Sequence, residues 1–70
     1  MELQAVDSSN VSQIGYNADD QVLVVIFHNG STYNYYDVTA AEWESFQNAD
    51  SKGKYLAEHI KGHKSYNRVM

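Results

Sequence analysis

Asp50-Ser51-Lys52-Gly53-Lys54 gathers the residue types that hold an anion: two cations, a glycine that lets a ligand approach the backbone, and polar groups at what reads as a helix start. A helix N-terminus exposes roughly four unpaired amides and about half a unit of positive charge, so Ser51, Lys52, Gly53 and Lys54 together could hold a phosphate or carboxylate. Asp50 can close the same amides as an N-cap. Binding and local structure are therefore two readings of one motif.

Tyrosines form a second constellation, at positions 16, 33, 35, 36, 55 and 66. Each combines a stackable ring with a hydroxyl that donates and accepts, and on an exposed face a ring can stack an unpaired base for about 1 to 3 kcal/mol. Tyr16 and Tyr36 are the stacking candidates. Tyr33 and Tyr35 share one face of a strand and read as core, with hydroxyls reaching the rim. His59 and His63 stand one helical turn apart, but His-Ile-Lys-Gly-His lacks the glutamate of a zinc protease helix, so they read as a structural or exposed pair rather than a metal site. Ser8-Ser9 reads as turn or strand-start capping, and Asp19-Asp20 as solvated turn residues. No nucleophile, base and orienting group can be named together, so no enzyme and no cofactor are expected.

Three strands and two helices must position these residues. Val11 to Tyr16 is a short strand that ends at the Asn17-Ala18-Asp19-Asp20 turn. Gln21 to His28 is the strongest strand, rich in β-branched residues and apolar on both faces, which calls for helices on one side and a curled sheet or second subunit on the other. Asn29-Gly30 signals a hairpin, both residues tolerating positive φ, and Ser31 to Val38 returns. Thr39-Ala40-Ala41-Glu42 is a capping box opening a helix to about Asn48 or Ala49, with Val38 and Trp43 as its staple and Trp43 and Phe46 inward. A second helix starts at Asp50 or Ser51, carries Tyr55, Leu56, His59, Ile60 and His63 as a stripe, and stops at Gly62. The expected fold class is α+β: a small antiparallel β-meander of three or four strands, then two short C-terminal helices packed on one face, in a single domain over 1–70.

Composition narrows the function classes. The chain has 70 residues, 43% of them hydrophobic, with no cysteine and no proline, which excludes disulfides, thiolate chemistry and a disordered chain. The longest apolar run, Val22 to Phe27, is too short to span a bilayer, and the absence of a charged leader before an apolar segment makes a cytoplasmic setting the expectation. The net charge of -4 conceals a division: residues 1–50 hold eight acids and no lysine or arginine, whereas residues 51–70 hold five bases and one acid. Such asymmetry fits either an anion at the basic end or attraction between copies, and equally an ordinary solvated helix face.

The chain also resembles the KTSC domain family, small domains at the C-terminus of some lysyl-tRNA synthetases and free-standing in bacteria and phages. The resemblance rests on Val6-Asp7-Ser8-Ser9, Ile14-Gly15-Tyr16, Val24 to Gly30, Tyr33-Asn34-Tyr35, Ala49 to Tyr55 and Ile60-Lys61, which cover nearly the whole chain. Thr39 stands where a proline is common, and His63 to Tyr66 follows the usual ending only loosely. It implies little about activity beyond RNA binding. Two functions are carried forward. The first is a non-catalytic module binding a phosphate-bearing ligand (a short single strand of RNA or a nucleotide) through Ser51, Lys52, Gly53, Lys54 and Lys61, with Tyr16 or Tyr36 stacking a base. The alternative is a protein-interaction or self-assembly module, a homodimer or a phage-encoded inhibitor of a host protein.

Overall fold

Five strands form one antiparallel sheet in the computed structural model of the chain, which describes residues 2–70. They are β1 (Leu3–Ala5), β2 (Val11–Asn17), β3 (Val22–Phe27), β4 (Thr32–Tyr35) and β5 (Tyr66–Arg68), arranged in chain order. Helix α1 (Ala40–Asn48), helix α2 (Lys52–Tyr55) and a π-helical segment (Leu56–Ile60) lie between β4 and β5. The α+β architecture is the expected one, with more strands. Both extra strands are three exposed residues long, and their register on β2 and β4 comes from backbone pairing, so apolar periodicity carried no sign of them.

Two cross-strand rows build the inner face. Tyr16, Leu23, Tyr35 and Tyr66 are aligned in one, and Ile14, Val25, Tyr33 and Arg68 in the next. Val11 and Ile14 are both fully buried although three residues apart, which a strict period of two forbids. A register shift between Val11 and Gln13 resolves this: Ser12 is the extra residue of a β-bulge, and it turns both side chains inward. Val38, Phe46, Leu56 and Ile60 close the core from the helical side. Val24, on the opposite face with no helix over it, is still only 8% exposed.

The β3–β4 hairpin departs from a two-residue turn. Only Gly30 has positive φ, at 90°, and the amides of Gly30 and Phe27 donate to Phe27 O and Ser31 O, both at 2.9 Å. This is a three-residue loop, a type I turn followed by a left-handed glycine, and Asn29 contributes its side chain, whose Oδ1 accepts from the Ser31 amide at 2.9 Å.

Helix α1 opens on the expected capping box, with the Glu42 amide donating to Thr39 Oγ1 at 3.2 Å and the Thr39 amide donating to Glu42 Oε1 at 3.0 Å. Lys64 extends it, its Nζ donating to Glu42 Oε1 at 2.9 Å and to Asp37 O at 2.8 Å, which ties the segment before β5 to the start of α1. The hydrogen bond from the Thr39 amide, and then the Lys64 ammonium, hold the Glu42 carboxyl below its ordinary value of 4.5 against the opposing effect of burial. On acidification the unfolded chain therefore takes up this proton before the folded one does. The stabilisation is present above the ordinary glutamate value and is lost as pH falls through the lower folded value. Thermal denaturation at pH 7 and pH 3 checks this: Glu42→Gln should be less stable than the parent at pH 7 and lose less on acidification, and equal losses would contradict it.

Candidate functional site

The inner face is not fully roofed. The chain leaves the π-helical segment at Lys61 and turns at Gly62, whose φ is 78°, so one corner of the sheet stays open. The i-to-i+5 bond from the Lys61 amide to Leu56 O, at 2.7 Å, keeps Leu56 and Ile60 both on the core while Lys61 swings outward. Such π segments recur at functional sites.

Phe27, Tyr33, Tyr35 and Tyr66 line the corner, with Asn29, Ser31, Lys61 and Gly62 around them, in a cleft of about 450 Å³. Tyr33 stands edge-on to Phe27 with ring centroids 5.6 Å apart, and it lies 6.1 Å from Tyr35 and 5.7 Å from Tyr66. Lys61 Nζ sits 5.8 Å from the centre of the Phe27 ring. Arg68 borders the cleft through Ser31, its Nη2 donating to Ser31 Oγ at 3.1 Å.

Tyr35 presents its hydroxyl to the cleft. The residue is 2% exposed and lines the cleft, and no polar side-chain atom among the described residues is both buried and unpartnered, so the Tyr35 hydroxyl meets solvent at the cleft. Burial, then the neighbouring Tyr33 and Tyr66, push its ionisation above the ordinary tyrosine value of 10.0, so at neutral pH it is a proton donor facing the cleft. Stacking rings, a neutral hydroxyl donor and an exposed cation suit a planar ring that carries a negative group.

Of the residues expected from the sequence to bind a ligand (Ser51, Lys52, Gly53, Lys54, Lys61, Tyr16 and Tyr36), Lys61 alone stands at this cleft, together with Tyr33, Tyr35 and Tyr66 of the tyrosine set. Ser51 caps α2, its Oγ accepting from the Lys54 amide at 3.2 Å, and so takes the place that Asp50 could have filled. Lys52 Nζ donates to Ala49 O at 2.7 Å, a bond to the end of α1. Lys54 faces Glu58 at 3.9 Å across an exposed turn. Ser51 and Lys54 share a separate hollow of about 340 Å³ with Tyr55 and His59, whose rings lie 4.5 Å apart. Tyr16 stacks on Trp43 at 5.3 Å and donates its hydroxyl to Val38 O, while Tyr36 is half-buried. Sequence reasoning missed Phe27 as a site residue and gave Tyr66 no place in the site. Tyr66 reaches the cleft through β5, a strand with no sequence pattern to announce it.

A β-carbon added at Gly53 would lie 3.5 Å from Asn10 Nδ2, an ordinary contact. Gly53→Ala is therefore expected to raise stability by roughly 0.5 to 1 kcal/mol through helix propensity, measured by urea denaturation. If the cleft is the ligand site, its ligand affinity stays at the parent value.

Comparison with known proteins agrees with the architecture. The sequence profile of the KTSC domain matches residues 7–66. The chain is 33% identical over 63 residues to a lysine–tRNA ligase of Trichormus variabilis, covering 90% of the chain and 11% of the ligase. It is 33% identical over 54 residues to a small protein of Tsukamurella paurometabola, covering 77% and 81% of the two chains. The crystal structure of a KTSC domain protein from Yersinia pestis superposes with a TM-score of 0.92 at 33% identity, over 99% of this chain and 97% of that one. The chain spans about a tenth of the ligases it matches. With the profile match, the shared fold and a relative of similar size, the chain belongs to the KTSC domain family.

Proposed function

We propose that this domain is a non-catalytic binding module for a phosphate-bearing ligand, a nucleotide or a short single strand of RNA, held in the aromatic cleft. Tyr33 and Tyr66 stack the base, the Tyr35 hydroxyl donates to its edge, and Lys61 pairs with the phosphate. The observation that carries this reading is the cleft lining itself, which brings the rings of Tyr33, Tyr35 and Tyr66 together with the Lys61 ammonium. The net charge of -4 favours a short ligand, because a long polyanion would be repelled by the acidic residues outside the basic end. Likeness to the lysine–tRNA ligases, whose name places them with an RNA substrate, supports the same class and a cytoplasmic setting. Ser8 Oγ accepts from the amides of Asn10 and Val11, each at 3.3 Å, which supports a capping rather than a nucleophilic role. Titrating labelled single-stranded RNA and a nucleotide panel at low salt tests the proposal, and binding by none of them would end it.

A second reading, self-assembly, is favoured by the outer sheet face. Its rows, Leu3-Gly15-Val24-Asn34-Asn67 and Ala5-Gln13-Ile26-Thr32, contain no charged residue. Two such faces would stack without burying charge. Sedimentation equilibrium checks it: this reading expects a dimer that Val24→Lys disperses, whereas a monomer at high concentration removes it.

A further inference from the structure

Beside the aromatic cleft lies a second hollow of about 350 Å³, and the two share Phe27, Asn29 and Lys61. They are two halves of one groove with Lys61 at their boundary. The linings differ in kind. One half presents tyrosine rings, and the other presents the polar side chains of Ser9, Asn10 and His28, with His28 Nε2 2.8 Å from Ser8 O.

Lys61 is exposed at the boundary between the halves, whereas Arg68, the other nearby cation, keeps its charge and is held at the rim by bonds to Ser31 Oγ and Met70 O, both at 3.1 Å. A terminal phosphate monoester carries close to two negative charges near neutral pH, but a phosphodiester carries one and has a nucleoside on each side. From this shape, two unlike halves meeting at Lys61, we infer that the groove takes a dinucleotide step of a single strand: one base against the tyrosines, the internal phosphodiester at Lys61, and the second nucleoside in the polar half. This rests on the nucleotide-binding reading above and narrows it, since a mononucleotide would fill only one half. Asn10 is exposed and the Asn29 carbonyl already accepts from Ser31, so their amide N–H groups are available to the second nucleoside.

The test titrates the protein with a nucleoside 5′-monophosphate, the corresponding dinucleoside monophosphate and the free nucleoside at low salt. The dinucleoside monophosphate should bind about tenfold or more tighter than the mononucleotide, the factor expected for one added base contact. Asn10→Ala with His28→Ala should remove that gain and leave mononucleotide affinity unchanged, while Tyr66→Ala weakens both. A dinucleoside monophosphate that binds no tighter than the mononucleotide overturns the two-unit groove and leaves the single-nucleotide reading standing. Binding by none of the three overturns both.

Discussion

Phe46→Ala is expected to leave the domain largely unfolded at 25 °C. Phe46 is fully buried, and its ring lies 6.4 Å from Trp43 and 5.6 Å from Tyr55, so it joins α1 to α2 over the sheet. Truncating a buried phenylalanine costs about 3 to 5 kcal/mol, from lost transfer energy and the cavity left behind. A chain this short without disulfides rarely has more than about 3 to 5 kcal/mol to lose. Far-UV circular dichroism with urea titration measures it. Phe46→Leu, which keeps most of the volume, should remain folded and lose less, and an alanine variant within about 1 kcal/mol of the parent would contradict this picture of the core.

The second large effect concerns binding. Tyr66 is 62% exposed, so Tyr66→Ala removes little buried surface, yet the ring forms one wall of the cleft. Loss of a base stack of about 1 to 3 kcal/mol weakens binding roughly 5- to 150-fold. Lys61→Ala acts differently. It removes one phosphate contact, so the dependence of log affinity on log salt for a single strand should flatten by about 0.7. Fluorescence anisotropy with a short labelled RNA across a salt series separates the two. Stacking loss shifts the curve at every salt concentration, and charge loss changes its slope. Lys52→Ala with Lys54→Ala serves as the comparison, because Lys52 is bonded to Ala49 O and Lys54 faces Glu58 away from the cleft.

Much of the fold was legible where one local pattern decides it. The apolar run of β3, the return of β4 and the Thr39/Glu42 box each express a rule that spans only a few residues. The rest depends on distant partners. β1 and β5 exist because β2 and β4 offer backbone edges, and the bulge at Ser12 exists because Val11 and Ile14 must both meet the core. The helical stripe of Tyr55, Leu56, His59, Ile60 and His63 was read with one period throughout. The π-helical segment keeps Leu56 and Ile60 buried and leaves His59 exposed, and the helix ends at Ile60, so His63 lies beyond it and is exposed as well. The candidate site inherits these gaps. Lys61 could be picked from its charge and Tyr33 and Tyr35 from their shared face, but their meeting with Tyr66 required β5.

In the proposed binding mode this corner of the sheet, rather than the start of α2, holds the ligand. Amide chemical-shift mapping during titration with a dinucleoside monophosphate tests it most directly. The largest shifts are expected at Phe27, Tyr33, Tyr35, Lys61, Gly62 and Tyr66. Shifts concentrated at Ser51 to Lys54, with the aromatic corner unmoved, would contradict it.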